Sequence, residues 1–399
     1  MRQSPFHLPL VVGLLALAQA VGWGMTFNLS AITGRAMGET LGLPYVVVMA
    51  GPTMMLVVMA LIAVPLLRLF EHLGARLVMT ASAVLGALGL VVVGLATGPW
   101  TYFLGWGVIG AAGAGMLTTA VQIAIAELFG AHARAAVGAL MVFGGLGTTL
   151  CWPLLGGLQA AFGWRMATLI GAAALLTVVA PIYWLLLAKR PASSSAAVKS
   201  KPDYQLDWIA FGLLAFSTAS NGIVTWGFSL TIITLFEARG LSHATAILTA
   251  SFIGVAALAA RLVDFVASRR WNSLATGLMA GFGLPMSFAI LMLGTGELAA
   301  GMFAIIYGLT SGVLAVARST MTLDLFPVAA YARASSMLAL PMNLSFACAP
   351  PLFAAILAGA GSNVALGVAM ALSLAALAAL CALSLRHRAK RATAENVAT

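Results

Sequence analysis

Arg261 and Asp264 stand three residues apart in an otherwise apolar stretch, ATAILTASFIGVAALAARLVDFVASRR from residue 244. On a helix that spacing places both on one face, where pairing offsets part of the cost of taking ions out of water. The chemistry open to them is anion binding by the guanidinium and proton carriage by the carboxylate. Arg68 and Glu71 repeat the same spacing in RLFE, so an ion-pair latch that never touches a ligand is the competing reading.

Arg318, deep in its own apolar segment, is free to face a cavity or to snorkel into the membrane interface, and we assign it to the interface. Uncharged polar side chains that could contact a substrate are Asn28, Thr119, Gln122, Asn221 and Asn343. Each serves equally well as hydrogen-bonding glue between helices. Trp23, Phe27, Trp106, Phe143, Trp152, Trp226 and Phe228 read first as packing or interface residues, with an aromatic cavity wall as the alternative.

The elements that must carry these groups follow from composition. The chain is 62% hydrophobic and 8% charged, with a mean hydropathy of +1.05, and a soluble fold of this length would lack a polar surface. Apolar runs of roughly 20 residues select membrane-crossing helices over the short alternating strands of a barrel. The expected fold is an all-α membrane protein with twelve transmembrane helices, at 8–32, 44–67, 77–97, 101–126, 135–160, 166–188, 207–235, 244–266, 273–294, 298–322, 334–358 and 364–385.

Every Lys and Arg outside those spans falls on one inferred side except Arg35, Arg165 and Arg239. The positive-inside rule then places both termini in the cytoplasm. The net charge of +10 reads as topology and contact with lipid headgroups, and needs no nucleic acid. Cys151, Cys348 and Cys381 all fall in spans without metal-ligand spacing, so neither a disulfide nor a metal is predicted. No H-E-x-x-H, G-x-S-x-G or phosphate-binding G-x-x-x-x-G-K-[ST] occurs, which argues against an enzyme or an ATP-driven pump. No cofactor is expected.

The expected organisation is a six-helix bundle at 1–188, a polar linker at 189–206, a second six-helix bundle at 207–385 and a basic tail at 386–399. The halves echo each other: Gly115-Met116-Leu117, Glu127-Leu128-Phe129 and Arg134 return as Gly312-Val313-Leu314, Asp324-Leu325-Phe326 and Arg333. Such a repeat joined by a linker resembles the major facilitator superfamily. The segment from Arg68 to Arg76 is similar to that superfamily's G-x-x-x-D-R-x-G-R-R loop, with Glu71, Gly74 and Arg76 in place and with Leu67 and His72 departing from it. Gly144-Gly145-Leu146-Gly147, Trp152-Pro153 and Phe162-Gly163-Trp164-Arg165 resemble the monocarboxylate/oxalate-type branch and its bacterial relatives.

The resemblance implies a secondary active transporter, acting as a monomer in a bacterial inner membrane. Its eighth-helix arginine, Arg261 here, would hold a substrate carboxylate. The acidic partner precedes that arginine in the animal relatives, whereas Asp264 follows it, so Asp264 is only a candidate for proton coupling. Glu71 and Arg76, with the repeated pairs Glu127/Arg134 and Asp324/Arg333, are candidates for gating. The expected cargo is a small, monocarboxylate-like organic anion, with or without a proton. A proton-driven exporter of amphipathic drugs is the alternative.

Overall fold

A computed structural model of the chain describes residues 7–187, 206–228, 231–267 and 272–398. Residues 189–205 of the expected linker lie outside them, as do the side chains of residues 144–153 and 390–399.

Helices dominate the described residues. In order they are α1 (His7–Trp23), α2 (Leu29–Leu41), α3 (Tyr45–Gly94), α4 (Pro99–Met116), α5 (Thr118–Phe129), α6 (Ala133–Ala174), α7 (Ala180–Leu186), α8 (Trp208–Gly227), α9 (Ile232–Ala238), α10 (His243–Ala267), α11 (Ser273–Leu293), α12 (Gly296–Leu325) and α13 (Val328–Ala398). Wide π turns at Gly24–Asn28 and Leu175–Val179 join α1 to α2 and α6 to α7.

Among the described residues nine helical stretches are long and apolar enough to cross a bilayer. Three helices are too long for a single crossing. The 50 residues of α3 would extend about 75 Å, more than twice the hydrocarbon thickness. Each of the three carries a glycine with left-handed φ: Gly74 in α3, Gly163 in α6 and Gly361 in α13. At these positions a Cβ would meet the following carbonyl, so glycine is the residue that can break the helix there. All three fall in the gaps the hydropathy pattern left between spans. Dividing the long helices at these glycines gives twelve crossings and an all-α membrane fold.

The chain forms two compact units, Met1–Tyr204 with Val328–Ala347 and Gln205–Pro327 with Cys348–Thr399. In the first, α4 packs along α3 through small residues. A Cβ on Gly105 would lie 3.0 Å from the Gly89 carbonyl oxygen, a backbone approach that larger side chains forbid.

In the second unit α10 and α11 both pack along α12. A Cβ on Gly308 would lie 2.6 Å from the Ile253 carbonyl oxygen, and Gly312 meets the backbone of Ala257 in the same way. Phe228, Phe288, Phe303, Tyr307 and Phe353 fill the core of this unit, with ring centroids 4.5 Å apart for Phe228 and Phe353 and 5.1 Å for Phe303 and Tyr307. Phe228 is therefore a packing residue.

Candidate functional site

The close contact of α10 with α12 determines what lies beyond it. One turn after Ala257 comes Arg261, and past Gly312 comes Arg318. Both arginines line one cavity of about 160 Å³ in the second unit. Arg318 is thus a cavity residue, not the interface residue expected from its depth alone. A long flexible side chain near a helix end can point either way, and packing decides which.

The remaining wall comes from α8 and α12. Thr218, Asn221 and Thr225 recur at the three-and-four spacing that puts them on one face of α8, with Trp226 beside them. Ser311, Ala315 and Arg318 form the matching face of α12. Two anchors hold α8 in place. Asp207 caps its first turn, accepting from the Ala210 amide at 3.2 Å, and receives two bonds of 3.1 Å from the Arg386 guanidinium. At the other end the Tyr307 hydroxyl donates to the Val224 and Thr225 carbonyls at 3.3 and 3.2 Å.

Most hydroxyl protons in this wall are already committed. Thr218 donates to the Leu214 carbonyl at 2.8 Å, Thr225 to that of Asn221 at 2.8 Å and Ser311 to that of Gly308 at 3.1 Å. Donation into the cavity therefore falls mainly to the guanidiniums and the Asn221 amide. Arg261 Nε and Asn221 Oδ1 are buried and have no hydrogen-bond partner among the described residues. Buried polar atoms without partners cost free energy, so two of them in one cavity wall call for a ligand or water. Chemically the cavity can hold an anion.

Of the other residues singled out in the sequence, Asp264 is half-buried on α10 and does not line this cavity. Asn343 is buried on the segment Val328–Ala347, which groups with the first unit. Asn28 is half-buried at the end of the first π turn, Thr119 is half-buried and Gln122 is buried on α5.

These last two follow a break the sequence did not reveal. Between α4 and α5, Leu117 is extended (φ −92°, ψ −163°) and interrupts the fourth crossing. The Met116 carbonyl accepts from the Tyr183 hydroxyl at 2.6 Å and from Gln19 Nε2 at 3.0 Å. Thr118 donates to Gln19 Oε1 at 3.2 Å and accepts from Trp23 Nε1 at 2.9 Å. This network ties three helical crossings together at one broken turn. Gln19 and Tyr183 sit in runs so apolar that only the presence of a lone amide hints at their role.

The gating candidates take varied positions. Glu71 is exposed just before Gly74, while the Arg76 guanidinium lies 4.0 Å over the Trp184 ring. Asp324 accepts from the Ser273 amide at 3.0 Å and the Ser273 hydroxyl at 2.5 Å, and so holds the start of α11. Glu127 and Arg333 are exposed, and Arg134 is half-buried.

Two of the three arginines that depart from the one-sided distribution of Lys and Arg, Arg165 and Arg239, are helix caps. Arg165 donates to the Gly94 and Ala96 carbonyls at 2.8 and 2.9 Å, where α3 ends. Arg239 donates to the Leu291 carbonyl at 2.6 Å and the Gly294 carbonyl at 3.0 Å, where α11 ends. A cation there satisfies orphan carbonyls and the negative end of the helix dipole.

Comparison with known proteins agrees with this architecture. The sequence profile of the Major Facilitator Superfamily matches residues 13–309. A crystal structure of the human organic anion transporter MFSD10 (TETRAN) is similar at a TM-score of 0.72 and 17% identity, covering 95% of this chain and 100% of that one. The Escherichia coli fucose:proton symporter FucP is similar at a TM-score of 0.68 and 14% identity, with 95% and 98% covered. An outward-conformation structure of FucP gives 0.69 and 13%, with 95% and 99% covered. No curated protein sequence matches.

Proposed function

The chain belongs to the major facilitator superfamily, a family of transporters, and we propose that it carries a small organic anion by alternating access, with Arg261 holding the anion. It is not an enzyme. The observation that carries the reading is the buried, unpartnered Nε of Arg261 in a cavity that Arg318 also lines. A permanently charged guanidinium brought into the membrane interior is costly unless it has work there. The one chemistry it offers is directional hydrogen bonding to a carboxylate or similar anion.

A cation or cationic drug would meet two positive side chains in this cavity, which counts against the exporter reading. Trp226 is the feature that favours an amphipathic ligand. The description of the human structural neighbour as an organic anion transporter supports an anion. That of the fucose:proton symporter supports proton coupling, for which Asp264 on α10 is our candidate. Asn221 is the neutral cavity residue we assign to substrate contact. Gln122, Asn28, Thr119 and Asn343 are further candidates in the first unit.

We place both termini in the cytoplasm of a bacterial inner membrane, on the distribution of Lys and Arg. The helix-capping roles of Arg165 and Arg239 fit this orientation, since they give a local reason for two of the three arginines that break the rule. We take the protein to work as a monomer, with bundles at 1–188 and 207–385 joined by the linker 189–206. In that frame Glu71, Arg76, Glu127, Arg134, Asp324 and Arg333 belong to the cytoplasmic gate.

Thermal unfolding of the purified protein tests the reading, because a ligand of the folded state raises the melting midpoint. Carboxylates should stabilise the wild type and should fail to stabilise Arg261→Ala. Stabilisation by neutral or cationic drugs that survives the substitution would refute it.

A further inference from the structure

We propose that the break at Leu117 is reversible: in a second state of the protein the Met116 carbonyl passes from Gln19 and Tyr183 to the Ala120 amide, and α4 and α5 close into one continuous helix. This joint lies wholly within the first unit and is independent of what the cavity of the second unit binds.

The residues at the break do not encode one. Gly74, Gly163 and Gly361 sit at positive φ and make permanent interruptions. Leu117, with φ −92° and ψ −163°, has ordinary extended backbone. It stands in the run Met116-Leu117-Thr118-Thr119-Ala120, which holds neither glycine nor proline, and Met, Leu and Ala are among the strongest helix formers. Rotating ψ of Leu117 by about 120° brings it to the helical value. The internal repeat carries the closed form already: Gly312-Val313-Leu314, the counterpart of Gly115-Met116-Leu117, runs unbroken within α12.

What holds the break open comes from other helices. A helical bond from the Ala120 amide to the Met116 carbonyl needs helical dihedrals at Leu117, and the extended backbone denies it. Tyr183 and Gln19 donate to that carbonyl instead, while Trp23 and Gln19 fix the Thr118 hydroxyl. The two crossings that supply these groups carry the π turns. Gly24–Asn28 follows Trp23 directly, and Leu175–Val179 ends one turn before Tyr183. Such turns are departures from the regular helical path that occur frequently at functional sites.

Neither arrangement strands a buried polar group. Gln19 Nε2 already lies 3.4 Å from the Tyr183 hydroxyl, so the two donors keep each other when the carbonyl leaves. The Thr118 hydroxyl then turns to a carbonyl of its own helix, as Thr26 does to that of Gly22 at 2.6 Å. Unpaired groups at this depth would separate the two forms by a large free energy; with every group paired in both, the two remain close enough to exchange. The half that moves is the lightly held one. α4 is packed along α3 through its glycines, whereas α5 makes its main contacts with α6.

Pulsed electron paramagnetic resonance on the full-length protein in lipid nanodiscs tests the joint. Cys151, Cys348 and Cys381 are replaced by alanine, and spin labels are attached at Leu104→Cys on α4 and Leu128→Cys on α5, one on each side of the break. Thr118→Pro locks the broken form, because the residue before a proline is driven to extended backbone and a proline at the first position of α5 removes no helical bond. Tyr183→Phe combined with Gln19→Leu removes both donors, so the Met116 carbonyl regains one only by closing the helix. Thr118→Pro should give a single distance. The wild type should show a second component beside it, and the double variant should enrich that component at least about fivefold, the ratio that one lost hydrogen bond confers. Tyr183→Phe alone should shift the ratio in the same direction, and it serves if the double variant fails to fold.

One distance shared by Thr118→Pro, the wild type and the double variant would overturn the proposal and make the break a fixed feature of the fold. So would a second component that Thr118→Pro retains, or one whose share is unchanged when the donors are lost.

Discussion

Ala257 of α10 occupies the space where a Cβ on Gly312 of α12 would project, and beyond this contact Arg261 and Arg318 on the same two helices line one cavity. The helices that carry the two arginines therefore meet at a pair of residues with no polar chemistry of their own.

Gly312→Val should push the two helices apart. Overpacking at a backbone contact costs about 1–3 kcal/mol or more, so the melting midpoint should fall and carboxylate stabilisation should weaken with it. Gly301 lies on the same helix with open space around its Cβ position, and Gly301→Ala should be neutral or slightly stabilising. Equal losses at both positions would show that the contact is not what matters.

The break at Leu117 should behave as a coupled unit. Tyr183→Phe leaves the Met116 carbonyl still bonded to Gln19, and Gln19→Leu leaves it bonded to Tyr183. Each single change should cost about 1 kcal/mol, whereas the double change strands a buried carbonyl and adds a further penalty of about 1–3 kcal/mol. A double-mutant cycle of melting midpoints that closes additively would contradict the shared acceptor.

The glycine breaks should resist any side chain. Alanine at Gly163 or Gly361 would have to adopt a positive φ with an extended ψ, a region all but confined to glycine, at a cost of about 1–3 kcal/mol. Packing against the rest of the protein is not the obstacle, since beyond the chain neighbours no atom lies within 4 Å of either Cβ position. Gly163→Ala and Gly361→Ala should each lower the melting midpoint, while Gly212→Ala, in an open position with ordinary helical φ, should not.

Arg239 should matter for folding and not for substrate. Arg239→Met removes the donors to the end of α11 and should cost about 1 kcal/mol. Apparent carboxylate affinity, measured well below the melting temperature, should stay within about twofold of wild type. A large loss of affinity with little loss of stability would place Arg239 on the substrate path.

How far the sequence could be read follows from what each signal encodes. Hydropathy registers where a chain leaves the bilayer, so the gaps holding Gly74, Gly163 and Gly361 were visible. The break at Leu117 was not, because it lies inside an apolar crossing and contains no proline. A charge in an apolar run exposes itself, which is how Arg261 stood out as a candidate, and it lines the cavity. Arg318 was misassigned because depth along a helix carries no information about which face is turned inward. The nearby small residues Gly308 and Gly312 mark the face that meets α10, and reading them together with Ser311 and Ala315 would have turned Arg318 toward the cavity. Gln19 and Tyr183 draw their role from a carbonyl about a hundred residues away for one and nearly seventy for the other, and no local pattern encodes that.

The most direct test of the central claim is uptake of radiolabelled carboxylates into proteoliposomes containing wild type, Arg261→Gln or Arg261→Lys. Saturable uptake by wild type, abolished by the glutamine and partly kept by the lysine, is the result we predict, because the role of Arg261 is to supply a positive, hydrogen-bonding group to an anion. Uptake by a correctly folded Arg261→Gln protein at the wild-type rate would contradict it.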